Sequence, residues 1–320
     1  RITDTVVYLK NINKYLLNMC LGTMSMVQIL LVYITLDQQL AKGGIKIKTI
    51  KTSVITENVA RMAQEANFYL GADVMEALKK AYETEVSNTG KEILQILIKN
   101  AEIAADEQVP MCQDCGYAVI FLELGQDVRI EGGALYEAIT EGVRQGYTKG
   151  YLRKSIVSHP LERKNTGDNT PPVIHTTIVP GENLKITLAP KGGGSENMSA
   201  IKMMKPADGV EGVKNFVLEV AKNAGPNPCP PVILGVGIGG TMEKAALIAK
   251  EALLREIGSV NEDPVMAKLE AELLEKVNNL GFGPQGLGGR NFALAVHIKT
   301  YAAHIASLPA AVNMQCWCAR

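Results

Sequence analysis

Apolar residues recur near helical spacing over 56–84, where Val59, Met62, Ala63, Ala66 and Phe68 share a face and Thr56 stands as the predicted cap. A second helix is predicted over 90–106, with Ile93, Leu94, Leu97, Ile98 and Ala101 on one side. VPMCQDCG (109–116) then reads as a loop and YAVIFLEL (117–124) as a strand. A helix over 132–146 precedes two strands, VIHTTIV (173–179) and LKITLAP (184–190), which PGEN (180–183) joins as a predicted hairpin. KGGGSENMSAIKMMKP (191–206) is a glycine loop followed by a short apolar and basic segment. Helices are predicted over 208–223, 241–256 and 264–279, the last opening on Pro264. VILGVGIGG (232–240) and FALAVHIKTY (292–301) complete the strands. The order of elements does not keep a strict βαβ alternation. It predicts an α+β (mixed α/β) fold, sheets flanked by many helices, with the loops at strand ends open for chemistry.

Residues 1–43 differ in texture, with no clear period, and read as an atypical N-terminal extension to a domain over 44–320. The chain ends four residues after Cys316, so that domain is expected to be cut short at its C-terminus. The apolar stretch 21–35 falls short of the roughly 20 residues needed to span a bilayer, so no membrane association is expected. Lys plus Arg equals Asp plus Glu at 33 each, which argues against a nucleic-acid partner bound through bulk charge. No segment has the succession of a secretory signal, and a cytoplasmic location is expected. Six scattered cysteines in that setting suggest metal binding or catalysis rather than disulfides.

Three of them share a context. Cys112 (CQDCG), Cys229 (PNPCPP) and Cys316 (MQCW) each sit in a loop near a strand, and Pro228, Pro230 and Pro231 restrict the backbone around Cys229. Three thiolates separated by long gaps suit a cubane held at three irons, with the fourth open as a Lewis acid. Spacing alone leaves other readings open. Small buried residues are the plainest. Cys112, Cys115, Cys316 and Cys318 could staple a zinc scaffold for an interaction protein, and the CxxC at 112–115 could be a redox pair. Neither gives Cys229 or the Gln113–Asp114 pair a role. GVGIGG (235–240), between a strand and a helix, fits a dinucleotide fingerprint, although the acidic residue expected about 20 positions on is ambiguous. A tight strand-to-helix turn explains it as well. His175 and His297 read as structural histidines in strands, and KMMKP (202–206) as a solvated basic face or an aid to attracting a dianion.

The succession CQDCG (112–116), YLRKS (151–155), NTGDNTPPVIH (165–175), KGGGSENMSAIKMM (191–204), NPCPPVILGVGIGG (227–240) and HIASLPAAVNMQCW (304–317) resembles, in order, the motifs of the class I fumarase and L-tartrate dehydratase family. The resemblance runs from about residue 50 to the end and corresponds to the family's N-terminal domain, or the α subunit of its two-chain members. It implies a [4Fe-4S] cluster on Cys112, Cys229 and Cys316, and reversible addition of water to a small dicarboxylate. It implies that Gln113 and Asp114 contact substrate, that Arg153 anchors a carboxylate, and that Gly193 and Gly194 of the glycine loop approach another through backbone N–H groups. His304 falls on the family's histidine ahead of the third ligand. The second half of the site, including the base for the C3 proton, is implied to lie on a β subunit in an α–β hetero-oligomer. Cys115 stands where the family usually has Thr, and Cys318 where it has a small residue.

Overall fold

The computed structural model describes residues 48–318. The N-terminal extension expected at 1–43, with its apolar stretch, lies outside the described residues. Among those described, no helix is long and apolar enough to cross a membrane.

The chain opens with β1 (Lys48–Lys51) and passes directly into α1 (Thr52–Phe68). The single helix expected over 56–84 is two: Gly71 precedes α2 (Ala72–Thr84), and the break at Tyr69–Gly71 turns the chain. Thr56 is not a cap. It lies one turn inside α1, and its hydroxyl donates to the Ala138 carbonyl of the neighbouring helix. α3 (Asn88–Glu107) starts two residues before the helix read from the pattern, with the Ser87 hydroxyl accepting the Gly90 N–H. β2 (Tyr117–Gly125), β3 (Val128–Glu131) and α4 (Leu135–Lys149) follow.

β4 (Val173–Val179) and β5 (Leu184–Lys191) are strands where expected, but they do not form a hairpin. β2 lies between them, parallel to β4 and antiparallel to β5. The reason is burial: β2 carries Val119, Ile120 and Leu122 into the core, whereas β4 is largely exposed and suits an edge. The PGEN loop passes over the end of β2, with the N–H groups of Gly125 and Asp127 donating to the Asn183 and Gly181 carbonyls. α1 and α4 cover this sheet through Ile55, Val59, Ile139, Val143 and Tyr147.

The second half builds a four-stranded sheet. Its strands are β6 (Ala200–Met204), β7 (Val232–Gly239), β8 (Ala293–Tyr301) and β9 (Leu308–Gln315), in the order β6-β9-β7-β8. A short α5 (Gly193–Asn197) leads into it. β9, the partner of both β6 and β7, was not legible as a strand, because LPAAVNMQ lacks both alternation and β-branched enrichment. α6 (Gly209–Ala224) and α8 (Pro264–Asn278) share one core with the sheet through Val217, Val220, Leu273 and Phe292. α7 (Met242–Ala252) packs closely on β7, and this closeness explains the GVGIGG run. A Cβ at Gly235 or Gly237 would collide with the Ala249 or Ala245 carbonyl of α7. The helix can lie this near only over glycine, so the motif is accounted for by packing without a dinucleotide.

Candidate cluster and substrate site

Strand register decides which loops meet. β7 and β9 run antiparallel with Ile233 opposite Gln315, so the loop entering β7 and the loop leaving β9 lie at one end of the sheet. Cys229 belongs to the first and Cys316 to the second, and the Trp317 N–H donates to the Cys229 carbonyl at 3.3 Å. In the other sheet Tyr117 pairs with Lys191, so CQDCG, just before β2, meets the glycine loop just after β5. Gly116, at φ +77, lies so close to the Lys191 backbone that a side chain would collide with it.

Several contacts connect the sheets, among them a hydrogen bond from the Gln315 amide to the Pro190 carbonyl. Met111 and Cys112 pack with Cys316, Trp317 and Cys318 against α2 and α3. A Cβ at Gly194 would come within 3.1 Å of the Asn227 carbonyl, beside Cys229. Asp114 bridges its own loop and the glycine loop, its carboxylate accepting the Gly116 N–H at 3.0 Å and the Gly193 N–H at 2.8 Å. Partial burial pushes the Cys229 thiol up, and so do the negative charges of Cys316, Cys112 and Asp114. Three loops distant in sequence therefore put acidic groups within electrostatic reach of one another.

The Cys229 loop is held stiffly. Cys229 itself adopts φ 58, which costs a non-glycine residue on the order of 1 kcal/mol and persists where surroundings enforce it. Gln285, in the glycine-rich loop after α8, donates both its backbone N–H (2.8 Å) and its side-chain amide (2.6 Å) to the Pro230 carbonyl. The far end of that loop is tied down by buried Glu85, whose carboxylate accepts the N–H groups of Arg290 and Asn291 at 2.8 and 2.9 Å. Burial alone would raise the Glu85 carboxyl, but the N–H groups of Asn291, Arg290 and Ser87 hold it at about 2.

Arg153 reaches this neighbourhood from the loop after α4. Its backbone N–H donates to Cys115 Sγ at 3.1 Å, while its exposed side chain makes no hydrogen bond or ion pair with another described residue. Buried Asn169 ties the same loop to CQDCG, accepting the Ser155 N–H and donating to the Gly116 carbonyl. Gln113 is exposed beside Cys112, whose Sγ lies 3.4 Å from the Gln113 amide oxygen.

His304 is not brought to this cluster. It precedes β9 while Cys316 follows it, and eight strand residues span roughly 26 Å. His304 instead borders a surface depression of about 550 Å³ with Met203, Thr241, Lys244 and Tyr301, at the opposite end of the sheet. Its Nδ1 accepts the Ala306 N–H. His175 stacks on Phe121 and His297 is buried in the sheet, both as structural groups.

Sequence reasoning missed a charged network behind the glycine loop. Buried Lys191 donates to Ser195 Oγ at 2.8 Å and pairs with Glu196 at 3.2 Å. Burial lowers its ammonium to about 8, against the pull of Glu196. Burial also works against the Glu196 carboxylate, yet Lys191, Lys250 and Asn313 together hold it at about 2. A lysine directly before GGG was the available signal.

Cys112, Cys229 and Cys316 are soft thiolate donors of the kind an iron–sulfur cluster takes. Among the described residues no three His, Cys, Asp or Glu side chains gather closely enough for one metal ion. A cube is gripped at separate corners, so its ligands stand farther apart than those of an ion. Cys115 is buried in another core: its thiol meets the Arg153 N–H and the Cys112 carbonyl, beside Ala118, Ile139 and Tyr147.

Residues 56–320 match the family model described as fumarate hydratase (fumerase). A chain of Methanocaldococcus jannaschii, described as a candidate L(+)-tartrate dehydratase subunit alpha, is 46% identical over 272 residues, covering 83% of this chain and 95% of that one. L(+)-tartrate dehydratase alpha subunits of Escherichia coli K12 and Shigella sonnei are 35% identical over 269 residues, covering 83% of this chain and 88% of theirs. The family match and the relatives together define a carbon–oxygen hydro-lyase. The chain belongs to the class I fumarate hydratase family, whose members here include L(+)-tartrate dehydratase alpha subunits.

Proposed function

We propose that this chain is the α subunit of a hydro-lyase that reversibly removes water from a small hydroxydicarboxylate, with L-tartrate to oxaloacetate favoured over malate to fumarate by the names of the relatives. The observation that carries the reading is the meeting of the Cys112, Cys229 and Cys316 loops around Asp114. When bound to those three cysteines, a [4Fe-4S] cluster would supply an open iron that polarises a carbon–oxygen bond.

The chain's own groups do the rest. Arg153 offers a planar fork of donors for one substrate carboxylate. Gly193 gives its N–H to Asp114, so the glycine loop aims that carboxylate, while Gly194 lies open beside Asn227 for close approach of substrate. Gln113, exposed at the mouth, is placed to hydrogen-bond a substrate oxygen. Asp114, fixed by two backbone donors, takes or returns the proton of the departing hydroxyl. His304 cannot reach Asp114 within one chain, so Asp114 carries this role without it. The base for the C3 proton comes from a β subunit, as the alpha designation of the relatives suggests. The reading sets the enzyme in the cytosol, where thiolates stay reduced and open to iron.

The test is anaerobic co-expression with a β-type partner, assaying L-tartrate dehydration and fumarate hydration side by side. Turnover of either supports the hydro-lyase reading, and the ratio assigns the substrate. Absence of both from a complex carrying iron and sulfide would overturn it.

A further inference from the structure

Cys318 has no part in the mechanism above, yet it is completely buried against a proposed cluster ligand. Its Sγ lies 3.3 Å from Cys316 Sγ. The chain turns at Trp317, which brings the two side chains together, and the Trp317 N–H fixes that turn to the Cys229 carbonyl. A sulfur pair in contact needs only a small rotation to reach bonding distance. Among the other described thiols, Cys112 and Cys229 are carried by separate loops, and Cys115 packs in a different core.

We propose that Cys316 and Cys318 form a reversible disulfide when the cluster is absent, so that the cluster-free chain is protected from permanent oxidation and is blocked from reloading until reduced. This rests on the reading of Cys316 as a ligand. The oxidant is hydrogen peroxide. The Cys316 thiolate attacks one peroxide oxygen, the O–O bond breaks, hydroxide leaves, and Cys316 becomes a sulfenic acid. Cys318 sulfur then attacks that sulfur. The S–OH bond breaks, the S–S bond forms, and the thiol proton leaves with the hydroxyl as water. The hydroxide takes up the proton that Cys316 lost on ionising, so two thiols are oxidised by two electrons and one peroxide is reduced to two waters. The ring closed by Cys-X-Cys is small, so the bond is strained and readily reduced by thiols. Without Cys318, a Cys316 sulfenic acid loses the thiol in contact with it and is left to further oxidation to sulfinic acid, which thiols do not reverse.

The experiment uses the full chain, stripped of metal under reductant, freed of reductant and then exposed to stoichiometric peroxide. After alkylation and tryptic digestion, the peptide Thr300–Arg320 carries both cysteines. The expected result is a peptide lacking two hydrogens and both alkyl groups, restored by dithiothreitol. Iron uptake should be lost after peroxide and regained after reduction. In Cys318→Ala, iron uptake before peroxide should match the original chain, but after peroxide it should not return on reduction. Alkylation of both cysteines, a bond from Cys316 to Cys112 or Cys229, or full recovery of Cys318→Ala would overturn the proposal. Failure of the unoxidised chain to take up iron would instead count against the cluster reading, because the peptide mass reports the disulfide independently.

Discussion

At one end of the four-stranded sheet, β7 begins and β9 finishes. There Cys229 is held in a left-handed turn, Gln285 clamps Pro230 with two hydrogen bonds, and the Cys316 loop closes on the Cys229 carbonyl. At the other end, β7 finishes at Gly239, and Thr241, Lys244, Tyr301 and His304 surround an open depression. Both ends carry motifs that promise chemistry when read in one dimension. Only the first brings thiols, a carboxylate and a neighbouring arginine loop together. The difference is set by β9: one antiparallel strand delivers Cys316 to Cys229 and, by the same geometry, carries His304 away from both.

That contrast is sharpest at the cysteines. Cys229→Ala or Cys316→Ala should abolish retained iron and turnover, whereas Cys115→Ala should keep its iron, read by metal analysis of anaerobically purified protein. Iron loss in the Cys115 variant equal to that in the others would break the distinction between ligand and core cysteine. Next in size, Asp114→Asn should retain the cluster while kcat falls by about 10²–10⁴-fold, the range for losing a proton-transfer group. A fall in iron rather than in kcat would make Asp114 a structural residue.

Glu85 offers a test of how the Cys229 end is braced. Its folded carboxyl sits at about 2, below the ordinary 4.5, so its stabilisation is present above 4.5 and is lost as pH falls through about 2. The shift corresponds to on the order of 3 kcal/mol for this buried group. Urea unfolding at pH 7 should show Glu85→Gln destabilised by a similar amount, and the gap to the original chain should close as pH falls from 4.5 towards 2. A gap independent of pH would assign the loss to packing instead. The smallest effect is expected at the far end: His304→Ala should leave iron content and thermal stability unchanged. A drop in iron would show that the two ends are coupled.

Much of this was legible beforehand. Helices with a clean apolar face, such as Asn88–Glu107, fell close to where the pattern put them. The proline-flanked Cys229 loop could be foreseen because proline restricts its neighbours locally. What stayed hidden depended on partners far away in sequence. β9 has weak strand character of its own and exists because β6 and β7 offer edges on both sides. β4 and β5 looked like a hairpin because PGEN is a good turn, yet the apolar β2 is the better neighbour for each. The ties from Gln285 to Pro230 and from Glu85 to Arg290 join segments 55 and 205 residues apart, beyond any local periodicity. His304 was assigned to the site by its motif, but the distance set by an intervening strand is not written in the motif.

The most direct test of the converging-cysteine account is the iron and sulfide content of the purified chain after anaerobic reconstitution, compared with the Cys112→Ala, Cys229→Ala and Cys316→Ala variants. The original chain should hold about four irons and four sulfides, and each substitution should remove them. One zinc per chain, or iron retained undiminished in any of the three variants, would contradict it.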